Sequence, residues 1–262
     1  MKKLFPIFAL LVMVAAMTAC DDDDPVNKTE FGVMMNTRSV DLSETPEAVT
    51  FSQKEGAFKI DFTNQTIEVS IPVKLNDDEE ITVEPGLLDM TNLSFQYTFA
   101  KANFIASGHD VNGFSGRIDM NTGNVYIEMT VDGIYRVTTT NYPCYYNATT
   151  AIQPFEGSEG AYTHKQSSYG FKLNENGTGC ILSIVNFFPR ENATNGINVN
   201  YENLPMQVTG NGYKMQADSL TTAYGSGLTL TDVEFTISNN GQILNGTFKC
   251  GDHGFTVSGA MF

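Results

Sequence analysis

The chain has 262 residues, of which 41% are hydrophobic, so it is long enough to build more than one buried core. Its formal net charge of −15 repels phosphate backbones, and we therefore expect no nucleic-acid partner. Apart from the first residues, no segment is long and apolar enough to predict a membrane-spanning helix.

Residues 1–19 have the layout of a secretory signal peptide. Lys2 and Lys3 precede an apolar run from Leu4 to Ala19. This run is too short for a comfortable membrane span, which needs about 20 apolar residues. We therefore expect the segment to be removed during export.

The end of this run, Met17-Thr18-Ala19-Cys20, resembles the bacterial lipobox. In that motif the signal peptide is cut before a cysteine that carries the lipid. One acyl chain holds a protein to a membrane only reversibly, so stable anchoring needs several chains on one residue. The resemblance implies lipidation of Cys20 and attachment to lipid of the outer membrane. The alternative is that Cys20 is an ordinary buried cysteine.

Four aspartates, Asp21 to Asp24, follow the predicted lipidation site. They begin a segment, residues 20–44, that we predict to be a solvated acidic tether. The acidic run also resembles the surface-export signal of Bacteroidota lipoproteins. This resemblance implies exposure on the outer face of the outer membrane.

Two stretches of the chain, residues 50–60 and 163–173, match each other without a gap. Further matches follow in the same order, with three short insertions, as far as Val131 and Cys250, and the last strands correspond only loosely. We therefore predict an internal duplication, with repeats of about 100 residues at 45–141 and 160–262. A tyrosine-rich linker, residues 142–159, would join the two repeats.

Apolar and polar residues alternate within each repeat. Val125, Ile127, Met129 and Val131 are separated by more polar neighbours, and residues 233–237 show the same period. A period of two is typical of half-buried antiparallel strands. We predict an all-β protein with two tandem antiparallel β-barrels, because closing a sheet removes its exposed edges. A barrel-like sandwich is the alternative architecture.

The order of segments in the second repeat resembles a known family. These segments are Ser183 to Phe188, Ile197 to Pro205, Gly212 to Ala217, Leu230 to Ile237 and Gly246 to Cys250. They look like the calycin-like, or lipocalin-like, β-barrel domain of Bacteroidota surface lipoproteins, over most of residues 162–259. The resemblance implies an eight-stranded meander barrel and brings no catalytic residues with it.

Motifs of common catalytic sites are absent from the sequence. It has no His-Glu-x-x-His zinc motif, no Gly-x-Ser-x-Gly nucleophile elbow and no phosphate-binding glycine-rich loop. Its three histidines, His109, His164 and His253, lie at positions that do not correspond in the two repeats. We therefore expect no catalytic residues and no cofactor.

One acidic loop has oxygen ligands suited to calcium. It consists of Asp77, Asp78, Glu79 and Glu80. It lacks the alternate spacing and central glycine of an EF-hand loop, so a solvated turn is the preferred interpretation over a metal site.

The cysteines other than Cys20 are Cys144, Cys180 and Cys250. The repeat alignment places Cys180 and Cys250 at positions that are apolar in the first repeat, Ile67 and Val131. They are expected to act as small core residues. A disulfide between Cys180 and Cys250 is the alternative, because an exported protein folds in an oxidising compartment.

Tyrosines are concentrated in the predicted linker, at Tyr142, Tyr145 and Tyr146. Exposed tyrosines can stack on sugar rings or fill a pocket in a partner. The alternative is that they pack in a seam between the two domains.

The sequence therefore predicts a lipid-anchored surface lipoprotein of a Gram-negative outer membrane that acts as a non-catalytic binding or adhesion module. Its partner would be a small apolar ligand, a glycan or a neighbouring outer-membrane protein. A structural accessory subunit that docks on such a protein is the alternative, and an enzyme ranks third.

Overall fold

The structure, a computed structural model, describes residues 28–121, 123–141, 144–154, 163–190, 192–222, 227–238 and 243–261. Within these residues all regular secondary structure is β-strand, in seventeen strands. The same residues contain no helix that is long and apolar enough to span a membrane. The prediction of an all-β protein is confirmed.

The first nine strands form one barrel. They are β1 Lys28–Asp41, β2 Ala48–Asp61, β3 Thr66–Lys74, β4 Glu80–Val83, β5 Leu88–Leu93, β6 Gln96–Ala106, β7 His109–Asp119, β8 Val125–Val131 and β9 Tyr135–Asn141. The sheet order is β2-β1-β9-β8-β7-β6-β5-β3-β4, and β2 also pairs with β3. This last pairing closes eight of the strands into a ring, while β4 pairs with β3 beside β5.

The other eight strands form a second closed barrel. They are β10 Cys144–Pro154, β11 Thr163–Leu173, β12 Gly179–Phe187, β13 Ile197–Thr209, β14 Gly212–Thr221, β15 Thr229–Ser238, β16 Ile243–Cys250 and β17 His253–Met261. They follow one another around the ring in chain order, and β10 pairs with β17 to close it. The predicted pair of tandem antiparallel barrels is confirmed, and the sandwich alternative is not.

The predicted alternation places apolar side chains inside the barrels. Val125, Ile127, Met129 and Val131 of β8 are all buried in the core of the first barrel, whereas Glu128 between them is exposed. Alternate residues of a strand point to opposite faces of the sheet, so one face of β8 fills the barrel. The outer face is left for polar side chains.

Aromatic side chains fill the interior of the second barrel. The rings of Phe171 on β11 and Phe235 on β15 lie 5.5 Å apart. The rings of Phe187 on β12 and Phe248 on β16 lie 6.0 Å apart. Both pairs join strands that are four places apart in a ring of eight. The rings therefore meet across the lumen, and these side chains form a packed core.

Strand pairing follows the same register in both barrels. Ile67 of β3 faces Leu88 of β5 in the first barrel, and Cys180 of β12 faces Leu204 of β13 in the second. The sequence alignment matches Ile67 with Cys180, and its next block matches Leu88 with Leu204. The long strand β13 therefore occupies the place that β4 and β5 share in the first barrel.

Both barrels also carry a β-bulge at the matching place. The register shifts within residues 112–115 of β7 and within residues 231–234 of β15. Each bulge contains one residue with positive φ, which is Gly113 at 62° in the first barrel and Asp232 at 50° in the second. An extra residue in this conformation is typical of a bulge that bends one strand of a pair.

Two of the predicted segments contain strands. The first strand begins at Lys28, inside the predicted tether at 20–44, and β10 occupies most of the predicted linker at 142–159. Both strands have hydroxyls at positions that an apolar pattern would fill. Thr37 donates a hydrogen bond to Thr139 at 2.8 Å, and Thr150 shares one of 2.9 Å with the hydroxyl of Tyr169. Because these inner positions are polar, the apolar alternation that predicts a strand is interrupted in both segments.

Candidate functional site

A groove on the first barrel is the candidate functional site. It crosses β5, β6, β7 and β8 and has a volume of about 340 Å³. The residues that line it are Asp89, Thr91, Thr98, Phe99, Ala100, Ser115, Gly116, Arg117, Tyr126 and Glu128. Most of these are polar side chains, so the groove is suited to hydrogen bonding.

Strand register brings the polar side chains of the groove into line. Residues that face one another across neighbouring strands lie on the same side of a sheet. One row of facing residues consists of Thr98, Arg117, Tyr126, Thr140 and Asn36. The adjacent row consists of Ala100, Ser115, Glu128, Thr138 and Arg38. Apart from Ala100, the two rows are polar and cross five strands on the outer face of the sheet. Their members on β9 and β1, which are Thr138, Thr140, Asn36 and Arg38, are buried.

Four side chains at the centre of the groove hold one another in place. The hydroxyl of Tyr126 donates a hydrogen bond to Glu128 Oε2 at 2.6 Å. The hydroxyl of Ser115 donates to the other carboxylate oxygen of Glu128 at 3.3 Å. The guanidinium of Arg117 lies over the Tyr126 ring, 4.4 Å from its centroid. Such a cation–π contact fixes the plane of the guanidinium and leaves its N–H groups at the edge.

The phenol of Tyr126 is kept neutral. Burial raises the pKa of Tyr126 well above its ordinary value, and the hydrogen bond to Glu128 raises this pKa further. The charges of Arg117 and Arg38 lower the same pKa to a smaller extent. A phenol in this state donates a hydrogen bond and does not act as a base. The centre of the groove is therefore arranged for binding.

His109 forms a second polar cluster at one end of the first barrel. Its Nδ1 lies 2.7 Å from Asp132 Oδ2, and its Nε2 lies 3.3 Å from Glu79 Oε1. The hydrogen bond to Asp132 raises the pKa of His109. Glu79 lies in the loop between β3 and β4, Asp132 lies in the turn between β8 and β9, and His109 begins β7. The cluster therefore joins three connections at this end of the barrel.

In the acidic loop that the sequence offered as a calcium candidate, the carboxylates pair with side chains of Lys and His. Asp77 contacts Lys74 at 2.7 Å, Glu79 contacts His109, and Glu80 contacts Lys54 at 2.6 Å. Among the described residues, the side chain of Asp78 forms no ion pair with these cations. Its backbone N–H donates a hydrogen bond to Oδ1 of Asn76 at 3.0 Å. Across the described residues, no group of three or more His, Cys, Asp or Glu side chains is placed to hold a metal ion.

Cys180 and Cys250 are both buried and both free. They lie in the apolar core of the second barrel. Burial raises the pKa of Cys180 to about 12 and also raises the pKa of Cys250. The structure therefore places both as core residues, and the disulfide alternative is not formed in it.

Several residues proposed from the sequence lie outside what the structure describes. Cys20 and Tyr142 are outside the described residues. Tyr145 and Tyr146 lie on β10, where the structure describes the backbone only. The lipidation of Cys20 and the role of the three tyrosines stay predictions.

The sequence analysis missed the groove. Its alternating pattern did place Tyr126 and Glu128 on the outer face of β8. What it lacked was the register that brings Arg117 and Ser115 of β7 beside them. That register depends on the bulge at residues 112–115, which Gly113 within the strand could have suggested.

No protein-family model matches the chain, and no curated protein matches it. Membership of the calycin-like family therefore stays a hypothesis. The eight-stranded meander barrel that the resemblance implied is present in the structure.

Among solved structures, the chain is similar to a candidate outer membrane protein from Bacteroides fragilis. The identity is 13%, the TM-score is 0.34, and the match covers 88% of this chain and 96% of that chain. It is also similar to transferrin binding protein B from Neisseria meningitidis, with 9% identity, a TM-score of 0.27, and coverage of 90% and 78%. Likenesses at this level carry no argument about function.

Proposed function

We propose that this protein is a lipid-anchored lipoprotein of the outer membrane, exposed on the cell surface, that binds a hydroxyl-rich ligand in the groove of its first barrel. The anchor and the location are supported by the signal-peptide layout of residues 1–19 and by the lipobox-like sequence that ends at Cys20. The binding role is supported by the groove itself. We assign no catalytic reaction to the groove.

The ligand class follows from the lining of the groove. The lining contains one guanidinium, that of Arg117, and two carboxylates, those of Asp89 and Glu128, so the groove has no excess of positive charge that would select an anion. The hydroxyls of the lining threonines and Ser115 both donate and accept hydrogen bonds. This combination favours a neutral glycan over a phosphate or an apolar molecule.

The arrangement of Tyr126, Glu128 and Arg117 is the observation on which the binding role depends. A binding site needs polar groups whose positions are fixed before the ligand arrives, because ordering them afterwards costs affinity. Here the carboxylate of Glu128 accepts two hydrogen bonds and the guanidinium is stacked on a ring. The groove therefore has a prearranged centre.

A panel of neutral oligosaccharides, titrated against the full-length lipidated protein by calorimetry, tests the binding role. We expect at least one member to bind and Glu128→Gln to weaken binding about tenfold, since a charged hydrogen-bond acceptor is lost. The matched control is Glu234→Gln on the outer face of the second barrel, where Glu234 lies 3.5 Å from Lys214. Equal effects of the two substitutions, or no binding by any member of the panel, would contradict the proposed role.

Metabolic labelling with an alkyne derivative of palmitate tests the anchor. Wild-type protein should carry the label, Cys20→Ala should lose it, and Cys144→Ala should retain it. Surface exposure is tested separately by treating intact cells with a protease. Protection of the protein from that protease would count against exposure on the outer face.

We also infer that the two barrels arose by an internal duplication. The support is the shared register, the shared position of the bulge, and a first strand that in both barrels lies between the second strand and the last. Folding each half as a separate chain tests this inference, because two copies of one domain are expected to form closed barrels independently.

A further inference from the structure

The turn between β5 and β6 exposes a group of apolar side chains. Leu93 is 56% exposed, Phe95 is 66% exposed, and Met120 from the neighbouring turn is 44% exposed. The backbone N–H of Met120 donates to the carbonyl of Phe95 at 2.9 Å, so the two turns are in direct contact. We call these three residues the apolar tip.

The backbone of this turn is strained at Ser94 and Phe95. Ser94 and Phe95 have φ values of 52° and 74°. A two-residue hairpin turn of this kind favours Asn and Gly, because a bulky side chain is disfavoured at positive φ. A phenylalanine that is both strained and exposed contributes little to the fold. Such a residue is the kind of outlier that points to a role outside the fold.

The apolar tip lies at the same end of the first barrel as Lys28. The side chain of Lys28 lies 3.6 Å from Asp61, at the end of β2. Phe62 follows Asp61 in the chain, and its ring lies 5.7 Å from that of Tyr97. Tyr97 is the second residue of β6, directly after the turn that carries Phe95. We call this end of the first barrel the tether end.

Chain length limits how far the tether end can lie from the proposed anchor. Eight residue steps separate Cys20 from Lys28. Even a fully extended chain of that length spans at most about 28 Å, from roughly 3.5 Å per residue. A lipidated Cys20 would therefore keep the tether end, and the tip with it, close to the bilayer surface.

The opposite end of the first barrel differs in charge. It carries the His109, Glu79 and Asp132 cluster together with Asp77, whose side chain is 94% exposed. Apolar residues are exposed there too. Ile105 is 63% exposed, and Leu42, which is 43% exposed, donates its backbone N–H to the carbonyl of Ile134, which is 40% exposed, at 3.0 Å. Exposure and contact between two turns therefore do not by themselves mark the apolar tip. Its strained aromatic residue and its place beside the anchored end do so together.

We infer that the apolar tip inserts into the interfacial region of the bilayer to which Cys20 is anchored, and so fixes the orientation of the first barrel on the membrane. This inference rests on the proposed lipid anchor. An apolar side chain at the headgroup boundary is removed from water, and aromatic rings favour that depth. The contact is apolar, so it should persist at high salt, whereas an electrostatic contact would be screened.

The test uses the full-length lipidated protein in vesicles of phosphatidylethanolamine and phosphatidylglycerol. A cysteine-reactive, environment-sensitive dye is attached in two variants, Phe95→Cys and Ile105→Cys, both in a Cys144→Ser background. Cys180 and Cys250 are buried, with raised pKa values, and should not react in the folded protein. A nitroxide-labelled lipid then quenches any dye that reaches the bilayer.

We expect severalfold stronger quenching, and a blue-shifted emission, for the dye at position 95 than for the dye at position 105. Equal quenching at the two positions in palmitate-labelled protein would overturn the inference and leave the anchor intact. Protein without palmitate would overturn the anchor and this inference together. Shielding of position 95 from aqueous iodide without lipid quenching would indicate a protein partner or a second copy of the chain, and would also overturn the inference.

Discussion

Phe99 of β6 lies directly opposite Gly116 of β7, and its ring occupies the space where a side chain at Gly116 would lie. The second barrel has the same arrangement between Phe235 and Gly246. An aromatic ring that covers a glycine on the neighbouring strand shields the glycine backbone and helps to fix the register. In the second barrel the ring lies on β15 and the glycine on β16, so the pair is displaced by one strand from its place on β6 and β7 in the first barrel.

Gly116→Ala should destabilise the protein, because the new Cβ would overlap the ring of Phe99. Overpacking of this kind costs about 1–3 kcal/mol in the free energy of unfolding, which urea titration measures. Phe99→Leu alone should also destabilise. The double variant should be more stable than the sum of the two effects predicts, since the smaller side chain makes room. Strict additivity would show that the two residues do not contact each other in this way.

Cys180 and Cys250 should stay reduced and unreactive in the folded protein after export. Both thiols are buried, and burial raises the pKa of Cys180 to about 12, so the thiolate that reacts is scarce. We expect a thiol reagent to modify neither residue under native conditions and both after denaturation. A disulfide found by mass spectrometry of protein from the oxidising compartment would contradict this prediction.

The pair formed by His109 and Asp132 should make stability depend on pH. The pKa of His109 is raised above 6.5 by its hydrogen bond to Asp132, so the stabilisation is fully present below 6.5 and is lost as pH rises through the raised pKa. The pKa of Asp132 is lowered below 3.8, so its contribution is lost only in stronger acid. Both side chains are partly exposed, which limits the effect to below about 1 kcal/mol.

His109→Gln tests this dependence by urea unfolding at about pH 5.5 and about pH 8.5, values on either side of the histidine titration. The difference in unfolding free energy between wild type and variant should be larger at the lower pH. The control is His164→Gln, which removes an exposed histidine from β11. A larger difference at the higher pH would have the wrong sign for a raised pKa.

The sequence predicted the barrels because the information needed is local and repeated. Alternation in β8 and β15 identified the strands, and the match of residues 50–60 with 163–173 identified two equivalent units. Closure follows once eight antiparallel strands are present, because a closed sheet leaves no edge. The first strand of each barrel was missed for a physical reason. In β1 the inner face continues from Phe31, Val33 and Met35 to Thr37 and Ser39, whose buried hydroxyls bond to other strands. The apolar alternation therefore ends halfway along the strand.

The groove and the apolar tip depend on information that a single sequence does not display. Arg117 faces Tyr126 only because the bulge at residues 112–115 shifts the register of β7 against β8. In the tip, Phe95 alternates in the sequence with Tyr97 and Phe99, a pattern that predicts a core residue of one strand. The structure instead places it in the turn at positive φ, since the strand begins at Gln96.

Phe95→Gly should stabilise the protein and weaken its contact with the membrane. Glycine adopts a φ of 74° without the steric penalty that phenylalanine suffers, which is worth about 1 kcal/mol in the free energy of unfolding. The phenylalanine ring is 66% exposed, so little packing is lost with it. The matched control is Ile105→Gly, which also removes an exposed apolar side chain but lies near the end of β6, where it pairs with Asp110. Glycine at this paired strand position should destabilise the protein by a similar amount, because the unfolded chain gains freedom. In urea titration, the change in the free energy of unfolding should therefore have opposite signs for the two variants.

Lipid quenching measures the contact with the membrane. Quenching of a dye attached at position 93 through Leu93→Cys should fall only when Phe95 is replaced. Destabilisation by Phe95→Gly would mean that its ring contributes to the fold, and the strain at this turn would then need no explanation at the membrane.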